Sequence, residues 1–112
     1  MENGYIQDSA ITASSDVADD RRAANGRLHL QNGEGKIGAW IPRRQDDFQW
    51  LQVNFCNWTT VGGVAIQGRY NAPEWVSRFS LSFGDDGVFF EDYQEDGSTK
   101  VLNVSYCMVL NV

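Results

Sequence analysis

Strict two-residue alternation of apolar and polar side chains is the feature that most constrains how this chain can fold. In "WVSRFSLSFG", Trp75, Ser77, Phe79, Leu81 and Phe83 share one face, opposite Val76, Arg78, Ser80 and Ser82. In "QWLQVNF", Leu51, Val53 and Phe55 fall on one side and Trp50, Gln52 and Asn54 on the other. A period of two places successive side chains on opposite faces of a strand, so both segments predict antiparallel β-strands with one solvated side. "SAITAS" and "GKIGAWIP" predict two more strands, the second stopped by Pro42. "VGGVAIQG" predicts another, with paired glycines marking a turn or bulge before it. "GDDGVFFEDY" reads as a tight turn leading into a strand with Phe89, Phe90 and Tyr93, and Asp96-Gly97 marks a second hairpin. Residues 17–25 have alanines but no apolar stripe, which predicts a loop or a single turn instead of a helix. Several short strands separated by turn signals define an all-β sandwich or barrel. Trp40, Trp50, Phe79, Leu81 and Phe83 are the expected core.

The bulk numbers narrow the function classes. A chain of 112 residues makes one small domain with a limited core. With 42% hydrophobic and 12% aromatic residues it carries enough apolar surface to fold. The net charge of -6 argues against nucleic acid, whose phosphates need a basic surface. No apolar run is long enough to cross a bilayer, and "MENGYIQDSA" has neither the basic nor the apolar region of a signal peptide. Two cysteines, Cys56 and Cys107, are too few for a disulfide scaffold. Bridged, they would close a long loop worth roughly 4 kcal/mol on the entropy model; the other reading is two separate thiols. Asn57 in "NWT" and Asn103 in "NVS" form glycosylation sequons, triplets that also arise by chance. The segment "VLNVSYCMVLNV" is almost uncharged and reads as a buried strand pair or an aggregation-prone end. Catalysis finds little support: the one histidine, His29, has no nucleophile motif, phosphate loop or metal-ligand spacing around it. Carboxylates of the kind a two-acid glycosidase uses are plentiful, but a chain this small rarely makes a deep cleft.

The motifs "ITASS", "GRL", "GAW.P", "QWLQV", "V.GVAIQGR", "EWV..F.LSF..DG..F..Y" and "KV" occur in this order and at fitting distances. Together they resemble the discoidin domain, also called the coagulation factor V/VIII type C domain, from Met1 to about Val101. The resemblance implies an antiparallel jelly-roll, a galactose-binding-like β-sandwich found in extracellular or cell-surface proteins. It implies a non-catalytic module of cell adhesion, without a cofactor, that binds carbohydrate, phospholipid head groups or matrix proteins through loops at one end of the barrel. The chain departs from the family pattern in lacking the opening and closing cysteines. After "KV" the family continues through further strands, where this chain has "LNVSYCMVLNV". The implied unit is therefore a single, incomplete discoidin domain over 1–112, its last strands missing and 102–112 an atypical apolar tail. Such a fragment of a larger adhesion protein could be inactive by itself, with exposed strand edges.

By the resemblance three loops crowd the binding end: residues 16–22, roughly 33–37, and 69–74. Lipid-binding relatives carry large apolar side chains in the first and third. Here the first offers Val17 among Asp16, Asp19, Asp20, Arg21 and Arg22, and the third offers Tyr70 and Pro73. Near an anionic surface each basic residue gains about 1 kcal/mol and each acid is repelled, so peripheral phospholipid binding is the less favoured alternative. Glycans and extracellular or matrix proteins fit better, because Arg69, Tyr70, Asn71 and Glu74 supply a guanidinium fork, an aromatic platform and polar groups within six residues. Arg69 and Glu74 match the ligand-surface positions of collagen-binding relatives, which also use a first-loop tryptophan absent here. The competing reading of Arg69 is a structural ion pair beneath the loops. For Asp16, Asp19 and Asp20 a Ca2+ site competes with a solvated loop neutralised by the arginines, and the spacing matches no calcium loop. Trp58, in a turn after Asn57, is expected to be partly exposed.

Overall fold

A computed structural model describes residues 5–103 of the chain. The expectations for 104–112, and with them any pairing of Cys107, lie outside the described residues. The side chains of Leu102 and Asn103 lie outside them too. Eight short strands appear: β1 (Ile11–Ala13), β2 (Leu51–Val53), β3 (Arg78–Ser80), β4 (Ser82–Phe83), β5 (Glu91–Asp92), β6 (Gln94–Glu95), β7 (Ser98–Thr99) and β8 (Val101–Asn103). All pair antiparallel, as β1–β2, β3–β8, β4–β5 and β6–β7. The all-β sandwich class expected from the alternation is the one observed. The described residues form four two-stranded ribbons, however, and not a closed barrel. Among them no helix is long and apolar enough to cross a membrane.

Isolated two-stranded ribbons are marginal in water, so their cross-links matter. The Tyr93 amide donates to the Leu81 carbonyl and the Lys100 amide to the Tyr93 carbonyl, which ties three ribbons together. Phe83 and Tyr93 meet edge to face with centroids 6.3 Å apart. In the β6–β7 hairpin Asp96 and Gly97 both have positive φ, at 52° and 78°, the type I′ geometry expected from "DG".

The core sits at the β1–β2 ribbon. Ile11 is 4% exposed, and Ala23 and Asn25 in the 3-10 turn Ala23–Gly26 are buried with it. Asn25 stays satisfied because its side-chain amide donates to the Asp20 carbonyl at 2.7 Å. Arg27, largely buried, clamps the N-terminal segment by donating to the Ile6 carbonyl at 2.6 Å and pairing with Asp8 at 2.7 Å.

Four expectations need correction. "GKIGAWIP" is not a strand, because its amides serve the loop after β1: Ile37 donates to the Asp20 carbonyl and Ile41 to the Arg21 carbonyl. "VGGVAIQG" joins no ladder among the described residues; Val64, Ala65 and Ile66 are all half-buried without alternating. Phe89 and Phe90 precede the strand instead of lying in it. Asp86 Oδ1 accepts from the Val88 and Phe89 amides, so those amides are committed to the turn. Of the expected core, Trp40, Phe79 and Leu81 are half-buried, but Trp50 and Phe83 are 49% and 47% exposed. Alternation assigns a face, and in ribbons this narrow no second layer among the described residues covers it.

Two substitutions test this packing. Ile11→Ala should cost about 2–5 kcal/mol by loss of buried methyl groups and the cavity left behind. Gly38→Ala should cost roughly 1–3 kcal/mol, since a Cβ there would collide with the Leu30 carbonyl. Both are read by denaturant unfolding.

Candidate loop binding site

The first loop grows directly from the β1–β2 ladder. Register pairs Ile11 with Val53 and Ala13 with Leu51, and the ladder extends through the Ser14 amide to the Trp50 carbonyl at 3.0 Å. Gln49 then closes the base of the loop. Its Oε1 accepts from the Ser14 hydroxyl at 2.8 Å and the Ser15 hydroxyl at 2.7 Å, while its Nε2 donates to Asp46 Oδ1 at 2.8 Å. Asp46 Oδ1 also accepts from the Phe48 amide at 3.0 Å. The Gln49 side chain foremost, and then the Phe48 amide, hold the Asp46 carboxyl below its usual value of 3.8. Trp40 donates its indole N–H to the Ser15 carbonyl at 3.0 Å, and Arg43 donates to the Asp16 carbonyl at 3.4 Å.

Beyond this base, the Val17 amide donates to the Ile41 carbonyl at 3.0 Å and the Val17 side chain is exposed. Asp19–Arg21 forms a 3-10 turn. Asp19 pairs with Arg22 at 3.1 Å, and Arg21 Nε stands 3.8 Å from Asp20 Oδ1. Asp16 is half-buried and turns Oδ1 inward. Asp19 and Asp20 thus face different arginines while Asp16 Oδ1 is buried without a hydrogen-bond partner, and no group of three carboxylate, cysteine or histidine side chains among the described residues could hold a metal ion. The second loop is a small hairpin closed by mutual Gly33–Lys36 amide bonds, with positive φ at Glu34 and Gly35. The Ile37 amide bond to Asp20 places it beside the first loop.

The third loop closes on itself. Arg69 Nη1 pairs with Glu74 Oε2 at 2.8 Å, and the Arg69 amide donates to the Glu74 carbonyl at 2.9 Å. This is the structural ion pair set against the ligand reading of Arg69. The Arg69 side chain is mostly covered, whereas Glu74, Asn71 and Tyr70 are exposed, Tyr70 by 61%. Residues 68–75 line an open hollow of about 410 Å³. The ion pair fixes the ring, and Tyr70, Asn71 and the free edge of Glu74 are what it presents. Trp75, placed in sequence on a core face, lines the hollow instead. Sequence reasoning also missed Gln49, Asp46 and Arg43: the long-range partners of Gln49 and Arg43 lie 27 to 35 positions away, and Asp46 bonds within its own turn. No local motif marks them.

The arrangement is that of loops displayed from a β-sandwich, and comparison with known proteins agrees. The family model for the F5/8 type C domain matches residues 10–106, so the chain belongs to the F5/8 type C, or discoidin, family. Lactadherin from Rattus norvegicus is 34% identical over 106 residues, covering 90% of this chain and 25% of that protein. Coagulation factor VIII from Sus scrofa is 36% identical over 106 residues, covering 90% of this chain and 5% of that protein. EGF-like repeat and discoidin I-like domain-containing protein 3 from Homo sapiens is 32% identical over 105 residues, covering 89% of this chain and 22% of that protein. The chain spans no more than a quarter of the length of these relatives.

Gln49→Ala should loosen the first loop and cost roughly 1–2 kcal/mol, about 1 kcal/mol for each lost hydroxyl bond. Because the Asp46 carboxyl lies below 3.8, its contribution is present at neutral pH and fades as the pH falls through that lowered value. The melting-temperature gap between wild type and Asp46→Ala should therefore close in strong acid.

Proposed function

We propose that this chain is a non-catalytic recognition module of cell adhesion, acting outside the cell and binding a carbohydrate or a matrix or cell-surface protein through its loops. The observation that carries this reading is the polarity of the displayed loops. The first sets three carboxylates against two guanidinium groups, four of these groups engaged in two mutual ion pairs. Surface pairs of this kind are worth about 0–1 kcal/mol, so a polar ligand can exchange them at little cost. Loops 33–37 and 69–74 each carry one acid and one base. Nothing in this charge pattern draws an anionic bilayer, and Val17 is the one sizeable apolar side chain in the first loop.

Tyr70, Asn71 and Glu74 offer a ring face, an amide and a carboxylate around one hollow, a combination suited to sugar hydroxyls or peptide groups. The specific observation favouring the alternative, peripheral binding to anionic phospholipid, is the exposure of Tyr70 and Trp75 in the same loop. Membership of the discoidin family supports a binding role for either ligand class.

The full chain should bind on a glycan array or to plate-coated matrix proteins and leave phosphatidylserine vesicles largely unbound. Tyr70→Ala, which disturbs no hydrogen bond of the ring, should weaken that binding about tenfold with an unchanged melt. Vesicle binding without glycan or protein binding would reverse the ranking of the two ligands.

A further inference from the structure

Asn57 and Asn103, the acceptor residues of the sequons "NWT" and "NVS", sit in different structural settings, with Val104 and Ser105 outside the described residues. Asn57 follows β2 in an exposed bend. The Asn54 carboxamide oxygen accepts from the Cys56 amide at 2.8 Å, Cys56 takes a φ of 62°, and Asn57 is exposed in the bend that results. The Thr59 hydroxyl donates to the Asn57 carbonyl at 3.0 Å, which brings the required hydroxyl back over the acceptor residue. The Asn57 side-chain amide has no hydrogen bond among the described residues, so it is available to a transferase. Asn103, in contrast, lies in β8 opposite Arg78, with its backbone held in a ladder.

A second observation points the same way. The segment around the bend exposes three apolar side chains close together in sequence: Phe55 by 42%, Trp58 by 91% and Val61 by 38%. Contiguous exposed apolar side chains are an association hazard for a soluble chain, and a hydrated sugar covers them. The C–H face of the first sugar can lie on an aromatic ring, and Phe55 and Trp58 flank the acceptor on both sides. The bend is also clear of the first loop. Ser14 and Trp50 mark one end of the β1–β2 ladder, and Ala10 and Asn54 mark the other, from which Asn57 departs.

We propose that Asn57 is an N-linked glycan attachment site and that Asn103 is not. In the reaction Asn57 Nδ2 forms a bond to the anomeric carbon of an oligosaccharide carried on a lipid diphosphate. The anomeric carbon–oxygen bond to phosphate breaks, the lipid diphosphate leaves with the electron pair, and the amide loses one proton. A membrane-bound oligosaccharyl transferase supplies the catalysis and the glycosyl donor. The inference rests on the extracellular address in the proposed function.

The test directs the full chain into the secretory pathway of cultured animal cells with an appended leader, which makes the result independent of native targeting and of ligand binding. Wild type should carry an oligosaccharide that peptide-N-glycosidase removes, with the mass change mapped to Asn57. Asn57→Gln and Thr59→Ala should each abolish it, Thr59→Ser should retain it, and Asn103→Gln should leave it unchanged. Secreted chain without sugar at Asn57, or with sugar mapped to Asn103, overturns the proposal. Glycan at Asn57 on a chain that binds no ligand would count against the recognition reading alone.

Discussion

The five-residue ladder that joins Ala10–Ser14 to Trp50–Asn54 is the constraint on which the described structure depends. It links segments some forty positions apart, buries Ile11 against the turn at Ala23–Gly26, and sets the starting point of two displayed segments. Closing so long a loop costs entropy that grows only slowly with its length, so a few well-packed apolar contacts and ladder bonds can offset it. One end of the ladder launches the charged first loop; the other launches the bend at Asn57. The proposed recognition loop and the proposed glycan-bearing bend thereby depart from opposite ends of one ribbon.

What keeps the first loop in place is mostly backbone and uncharged side chains. Trp40, Gln49, Ser14 and Ser15 form its base, and the amides of Ile37 and Ile41 reach its carbonyls. Asp19 pairs with Arg22 at the exposed rim, and Asp20 pairs with Arg21, both half-buried. That division suits a recognition surface. Neutral hydrogen bonds hold the shape regardless of salt, while weak exposed ion pairs remain exchangeable. The third loop is built differently, with the Arg69–Glu74 pair as an internal brace that leaves Tyr70 and Asn71 at the surface.

Much of the fold class was legible in the chain. Alternation through Phe79 and Leu81 marked β3 and its continuation, "ITA" and "LQV" marked the β1–β2 ribbon, and Asp96-Gly97 marked the β6–β7 hairpin. These signals are local, because side-chain period and positive φ belong to neighbouring residues. The failures share one cause. "GKIGAWIP" has strand composition, but its amides have better partners in the first loop, and Asp86 captures the amides of Val88 and Phe89 before a ladder can. Phe83 belongs to the apolar face that alternation assigns, yet a face becomes a core only when another layer covers it, and Trp50 falls on the polar side of its own strand pattern.

The sequence by itself determined the family, the antiparallel strands, the acidic character and the polar composition of the displayed loops, since each follows from residue identity and short-range spacing. Only the tertiary structure decided which of these groups are spent and which are free. The sequence left Arg69 as a ligand contact or a structural ion pair, and the fold supplies the ion pair, with Glu74 at 2.8 Å. The two sequons look alike as triplets, and their acceptors differ in setting: Asn57 follows the bend at Cys56, and Asn103 stands in the ladder opposite Arg78. Long-range hydrogen bonds and burial are properties of pairs of segments, and no single segment carries them.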